Sequence, residues 1–264
     1  MQPIESLYSK GKMQGWPGIP RKILPHTFYC LDGNEIPFGG RIPRGSRCPS
    51  IFTNRALVGE LIPGSSWGSS LANLLTKGNW DQLRKPIIDR NSGICEFCGK
   101  LVGSSLDVHE VWSYSELPTR RELNELPEGH VFFARQTLVK LLGVCKECHE
   151  CFHPGLAEVK GRINHVERRM CVINSWSSDD FNDYYDTLLQ RNQVLSEVYW
   201  RLDLSIIASQ VEGLLVSKSW KREPENNEIL FRDSKNGYGE STTIITGCKW
   251  RRTDEEEWSY MSPD

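Results

Sequence analysis

Apolar side chains recur at helical spacing in two stretches of the chain. Trp80, Leu83 and Ile87 lie at positions i, i+3 and i+7, which predicts a helix with one apolar face. Pro86 falls within that pattern and is expected to limit or kink the helix, because proline lacks a backbone N–H. Residues 166–200 carry a longer helical pattern, within which residues 178–180 (SDD) are an N-terminal helix signal.

Between these helical stretches the pattern changes to alternation. Residues 101–114 alternate apolar and polar positions, which predicts paired strands, and residues 137–145 form a short apolar run. The polar residues 115–136 are predicted to form an inserted loop. Residues 205–264 turn towards strand and loop, and the acidic tail at 253–264 is predicted to be mobile.

The composition bears on nucleic-acid binding, membrane insertion and secretion. The 264 residues carry a formal net charge of -2, which is not the overall signature of a nucleic-acid-binding protein, although basic residues cluster locally. No run of about 18 apolar residues occurs, so no membrane-spanning helix is expected. The first residues lack the apolar segment of a secretory signal, which predicts a cytoplasmic protein.

The cysteines supply the first chemical motif. Four of the nine form two CxxC pairs, Cys95/Cys98 and Cys145/Cys148, separated by 46 residues. Each pair presents two thiolates from a tight turn, and together they predict a tetrahedral structural zinc site. A thiol–disulfide role for the CxxC pairs is a weaker alternative, because histidines flank them. The remaining cysteines are scattered and are expected to be ordinary thiols.

Histidines gather around the same motif. His149 follows Cys148 directly, and His153 lies four residues further, so a helix would place both imidazoles on one face. His109 and Glu110 lie in the predicted strand between the two CxxC pairs. Neutral imidazole is a common metal ligand, so His109, His149 and His153 form a candidate second metal site. The alternative is that these histidines only pack or cap the helix, or that one replaces a cysteine at the zinc.

The order of these motifs resembles the HNH, or ββα-metal, endonuclease superfamily. The resemblance rests on CEFC at 95–98, LDVHEV at 106–111 and CKECH at 145–149, followed by His153. A closer similarity, over roughly residues 60–206, is to HNH-like zinc proteins of bacteria and phages. The resemblance implies a zinc-stabilised ββα-metal core at about 90–156. It also implies Mg²⁺, Mn²⁺ or Zn²⁺ at the scissile phosphate and a strand histidine that activates water.

The chain departs from the HNH pattern in three places. Alignment on LDV at 106–108 puts His109 at the metal-ligand position and Glu110 at the general-base position. In another register His109 is the base and Asp107 or Glu110 the ligand, and the sequence does not choose between them. The HNH asparagine has no clear match near Gln136. Pro154 disfavours a helical conformation at His153, which places that residue at a helix end.

The sequence therefore predicts an α+β fold with three segments. An N-terminal extended arm is expected at 1–58, the HNH-like zinc domain with flanking helices at 59–206, and an irregular β and loop extension at 207–264. Both terminal extensions lack a recognisable counterpart.

The function predicted from the resemblance is metal-dependent cleavage of phosphodiester bonds in nucleic acid, with His109 and Glu110 as catalytic residues. The alternative is a non-catalytic zinc module that binds nucleic acid or a protein partner. Trp112 and Tyr114 either stack on bases or pack the core, and packing is the favoured interpretation. The candidate nucleic-acid contacts are basic residues near the motif: Arg84, Lys85, Arg90, Arg120 and Arg121.

Overall fold

The structure is a computed structural model that describes residues 57–223, 226–232 and 241–263. The predicted N-terminal arm lies outside the described residues except for its last two positions. The side chain of Arg120 also lies outside them.

Seven helices are present in the described part of the chain. Side-chain caps explain several of their starts: Thr76 accepts a hydrogen bond from the backbone N–H of Asn79, and Ser177 forms a capping box with Asp180. The helices are α1 (Leu71–Leu74), α2 (Lys77–Arg90), α3 (Arg120–Asn124), α4 (Lys146–Cys151), α5 (Pro154–Val159), α6 (Ile163–Asn174) and α7 (Ser178–Leu195). None of them combines the length and apolar character that a membrane crossing requires.

Eight strands form two sheets within the residues that the structure describes. The larger sheet has the order β1-β2-β3-β7-β6-β5, and β4 pairs with β8 in the smaller one. The strands are β1 (Asp107–Ser115), β2 (Phe133–Val144), β3 (Tyr199–Asp203), β4 (Leu214–Val216), β5 (Lys221–Glu223), β6 (Asn226–Arg232), β7 (Ser241–Thr246) and β8 (Trp250–Arg252). The predicted α+β class is confirmed.

Strands β1 and β2 pair antiparallel and lead directly into α4. A bulge at Val111/Trp112 shifts the register, so Val111 lies opposite Lys140 and Trp112 opposite Leu138. This β–β–helix segment carries the histidines and the second CxxC pair.

Two hydrophobic cores lie on opposite faces of the β1–β2 pair. Leu83 of α2 and Val108 of β1 belong to the first core, which also holds Trp200 and Trp220. The second core contains the CxxC cysteines and Phe152, together with the buried faces of α6 and α7. Because side chains alternate along a strand, His109 faces the second core when Val108 faces the first.

Three local predictions need correction. Pro86 lies inside α2 without ending it, because Leu83 and Ile87 remain buried on one continuous face. The predicted loop at 115–136 contains α3 and the first residues of β2. The acidic tail is not free in its described part: Arg222 contacts both carboxylate oxygens of Glu255, each at 2.9 Å.

The C-terminal residues form regular strands, whereas the sequence predicts an irregular extension. Strand β7 pairs in parallel with β3, so the larger sheet runs across the predicted boundary at 206. Ile245 and Trp250 belong to the same core as Leu202. The division of the chain into domains stays a prediction.

Candidate metal centre

The four CxxC cysteines lie together in the structure. We call Cys95, Cys98, Cys145 and Cys148 the cysteine cluster, and their sulfur atoms all lie within 4.8 Å of one another. The sulfurs of Cys98 and Cys145 are 3.6 Å apart. Tetrahedral zinc with Zn–S bonds of about 2.3 Å separates its sulfurs by roughly 3.8 Å, so the spacing fits a metal of this kind. The cysteine cluster could therefore hold a metal ion, as the sequence predicted.

Backbone and side-chain contacts position the first CxxC turn against β2. The Glu96 carboxylate accepts a hydrogen bond from the backbone N–H of Gly143 at 2.7 Å and another from the Asn91 amide at 3.0 Å. A Cβ atom at Gly143 would lie 2.3 Å from the Asn91 amide nitrogen, so a larger residue there would displace the Asn91 side chain from its present position. Across the turn, Lys100 forms an ion pair with Glu147 at 2.8 Å.

Hydrogen bonding and burial shift the pKa values of the thiols in the cysteine cluster in opposite directions. A hydrogen bond from Cys148 lowers the pKa of the Cys95 thiol to about 4, whereas burial raises the pKa of Cys145 to about 12. Four buried thiolates cannot coexist without positive charge between them. A divalent cation would supply that charge.

Three histidines form a second group. We call His109, His149 and His153 the histidine cluster, and each offers a ring nitrogen within 4.8 Å of those of the others. The Nε2 atoms of His149 and His153 are 3.3 Å apart. Two nitrogens bound to one tetrahedral zinc at 2.0–2.1 Å would be roughly 3.4 Å apart, so this distance also fits shared metal ligation.

Asp107 orients the histidine cluster. The Asp107 carboxylate lies 3.1 Å from Nδ1 of His149. A hydrogen bond donated by Nδ1–H leaves the lone pair of His149 on Nε2, the atom that faces His153. Carboxylates hold metal-binding histidines in this way, so Asp107 acts from behind the ligand.

Burial keeps two of the histidines neutral. The pKa of His109 lies well below its ordinary value because of burial, and the pKa of His153 is lowered to about 3 for the same reason. A neutral imidazole has a lone pair for a metal. His109 is 4% exposed, and its Nδ1 has no hydrogen-bond partner among the described residues. A donor set of this kind fits a divalent metal.

Pro154 has the expected local effect without moving His153 away. His153 has φ -124° and ψ 57°, a non-helical conformation, and precedes the first residue of α5. Its backbone N–H still donates to the carbonyl of Glu150, so the ring remains beside His149.

The carboxylate of Glu110 contacts helix α1. Its carboxylate accepts a hydrogen bond from the backbone N–H of Leu71 at 2.9 Å, at the start of α1. Burial raises the pKa of Glu110. Glu110 nevertheless lines the same small pocket as His109, His153 and Gln136. Glu110 is thus outside the histidine cluster but adjacent to it.

Two of the predicted nucleic-acid contacts lie on a helix that is away from the histidine cluster. Arg84 and Lys85 are on α2, which packs on the face of β1–β2 opposite His109. Arg90 reaches the Leu141 carbonyl at 3.1 Å, and Arg121 pairs with Glu125 at 2.6 Å. Their role as contacts stays a prediction.

Trp112 and Tyr114 belong to the protein core. Trp112 is 8% exposed and Tyr114 is 1% exposed, and the Tyr114 ring packs edge-on against Trp200. The guanidinium of Arg191, on the long helix α7, lies 5.5 Å from the Tyr114 ring centre. Packing, the favoured interpretation, explains both aromatic residues.

Sequence reasoning missed two contributors to these clusters. Asp107 was considered as a ligand, whereas the structure places it behind His149. Arg169 is not among the candidate residues named from the sequence, yet its Nη2 lies 3.4 Å from the Cys148 sulfur. No sequence signal marks Arg169, since it is 21 residues from Cys148 on another helix.

Comparison of the chain with models of known protein families, with characterised proteins and with solved structures finds no match. The functional argument therefore depends on the two clusters.

Proposed function

We propose that the protein is a metal-dependent hydrolase of phosphodiester bonds in nucleic acid, of the HNH type, with zinc in the cysteine cluster. The observation that carries the proposal is the convergence of His109, His149 and His153 beside a β–β–helix segment closed by four cysteines. These are the donors and the order of elements that the HNH resemblance leads one to expect.

Zinc is the metal that suits the cysteine cluster. Four thiolates in tetrahedral array are typical of structural zinc, which keeps no open coordination position. Three of the four cysteines are buried, and the fourth is half-buried. Zinc here would link the turn after α2 to the junction of β2 and α4.

The histidine cluster has the incomplete ligand set of a catalytic site. Three protein ligands leave a coordination position for water or substrate. The side chains of His149 and Asp107 are 26% and 41% exposed, so the cluster opens to solvent on that side. A phosphate group could approach from there, while the face towards Phe152 is closed.

Each residue then has a role. A divalent metal would supply Lewis acidity at the phosphate and lower the pKa of a water molecule. His109, His149 and His153 are the ligands, and Asp107 fixes the orientation of His149. Glu110, in the adjoining pocket, is the proton acceptor, and its raised pKa suits that role.

The test is nicking of supercoiled plasmid and cleavage of single-stranded DNA and RNA by protein supplied with Mg²⁺, Mn²⁺ or Zn²⁺. Cleavage should require the metal and disappear in His109→Ala and His149→Ala. The matched controls are His130→Ala and His165→Ala, since both of these histidines are exposed and lie outside the cluster. Lack of cleavage by the metal-loaded wild-type protein overturns the proposal.

One observation favours a non-catalytic module. The Glu110 carboxylate already caps the N-terminus of α1, which is a sufficient structural reason for a buried acid. The metal content separates the two functions. One tightly bound zinc per chain indicates a module, whereas one zinc and a second, exchangeable metal indicate the enzyme.

A further inference from the structure

The guanidinium of Arg169 contacts the cysteine cluster directly. Its Nη2 donates to the sulfur of Cys148 at 3.4 Å. Arg169 follows Val166 by three residues and precedes Ile173 by four, so it lies on the buried face of α6. That face packs in the same core as the four cysteines.

The environment of Arg169 directs its charge to the sulfurs. It forms no ion pair with a carboxylate in the described parts of the chain, and its buried Nε has no hydrogen-bond partner there. Lys100, by contrast, is exposed and engaged by Glu147 at 2.8 Å.

The charge of a zinc–thiolate centre makes this position important. Four thiolates and one Zn²⁺ carry a net charge of -2, which is costly to bury. A guanidinium donating to one sulfur offsets part of that charge and withdraws electron density from the thiolate. A thiolate with less available electron density reacts more slowly with electrophiles and with protons.

We propose that Arg169 is a positioning residue of the cysteine cluster, which strengthens zinc binding and protects the Cys148 thiolate from electrophiles and oxidants. The inference rests on the proposed zinc in that cluster and extends it to a specific outer partner. It also implies that the CxxC pairs have a structural rather than a redox role.

The experiment compares Arg169→Gln with Arg169→Lys and with Arg168→Gln. Arg168 is the adjacent exposed arginine on α6 and provides the matched control. Zinc affinity is measured by competition with a chelator, and zinc release is followed after addition of a disulfide reagent. Loss of an outer partner typically weakens metal binding about 10–100-fold, and this is the expected effect of Arg169→Gln. Zinc release should also be faster.

If Arg169 only packed against the cysteine cluster, its substitution would not change the spectrum of a bound metal or be rescued by lysine. With Co²⁺ in the cysteine cluster, Arg169→Gln should shift the sulfur-to-metal charge-transfer band, and Arg169→Lys should largely restore both band and release rate. Arg168→Gln should match the wild type. Equal zinc affinity, release rate and spectrum in Arg169→Gln and the wild type would overturn the inference. Wild-type protein without cysteine-bound zinc would overturn the proposed metal itself.

Discussion

The cysteine cluster and the histidine cluster share helix α4 but differ in closure. The cysteine cluster has four ligands from two turns and sits among buried side chains of the second core. The histidine cluster has three ligands, and one of them, His149, has a side chain that is 26% exposed. Phe152 contacts both regions, since its ring packs against Phe97 and stacks on His109.

In the proposed function, the single short helix α4 contributes ligands to a structural zinc site and to a catalytic metal site. A complete set of thiolates binds its metal permanently and connects distant parts of the chain. An incomplete set of neutral imidazoles leaves room for a ligand from solvent. A metal in the cysteine cluster would therefore support the geometry of the histidine cluster, because Cys148 and His149 are consecutive residues.

The largest effect is expected for Cys145→Ser. Removal of one thiolate should abolish zinc binding, which contributes on the order of 10 kcal/mol of apparent binding free energy at structural sites. Zinc analysis and thermal unfolding measure the loss. Cys171→Ser is the control, because Cys171 lies outside the cysteine cluster. Wild-type stability and zinc content in Cys145→Ser would contradict the structural role.

Substitution of a histidine should abolish metal binding at the histidine cluster and leave zinc binding at the cysteine cluster intact. His149→Ala is expected to lose the exchangeable metal and cleavage while it retains one zinc and a cooperative unfolding transition.

Asp107→Asn should weaken binding of the same metal about 10–100-fold, because it disturbs only the orientation of His149. Isothermal titration with Mn²⁺ measures both effects. If His149→Ala also lost the zinc, the clusters would not be independent sites.

Glu110→Gln tests whether Glu110 is more than a helix cap. The glutamine carbonyl can still accept the hydrogen bond from Leu71, so the melting temperature should change little. Loss of the proton acceptor should reduce the cleavage rate about 10²–10⁴-fold. Unchanged cleavage with Glu110→Gln would leave Glu110 only its capping role.

The smallest effect is expected from the double substitution Arg84→Ala and Lys85→Ala. Both residues lie on the helix that packs on the face opposite His109, so binding of nucleic acid should weaken little. The measurement is the dependence of affinity on salt concentration. Each lost phosphate contact would reduce the slope by about one, and a decrease of that size would show that Arg84 and Lys85 contact nucleic acid as the sequence predicts.

Local patterns accounted for much of the fold and for the cysteine cluster. The helix around Trp80 was predicted from periodicity, and the helix that starts at Ser178 from its N-terminal signal; they occur as α2 and α7. The helical pattern over 166–200 is not one helix, because the chain turns at Ser175 (φ 57°) between α6 and α7 and enters β3 at Tyr199. The CxxC pairs were predicted to meet because each pair needs two further ligands to complete a tetrahedral site. Capping residues and apolar spacing act within one or two turns, so they are visible in the sequence.

The features that were missed depend on long-range packing. The position of Pro86 within α2 is tolerated because the helix keeps a buried face against the sheet. The acidic tail is held through Arg222 and Glu255, which are 33 residues apart. Arg169 reaches Cys148 only because α6 packs on α4.

The sequence by itself determined which ligand types lie near one another: cysteines three positions apart in a turn, and histidines four positions apart around α4. Tertiary structure decided the rest of the site. It joined His109 to His149 and His153, placed Asp107 behind His149, and directed Glu110 to α1. The physical reason is that spacing fixes neighbours within a helical turn, whereas the pairing of β1 with β2 and their packing decide which strand side chains face α4.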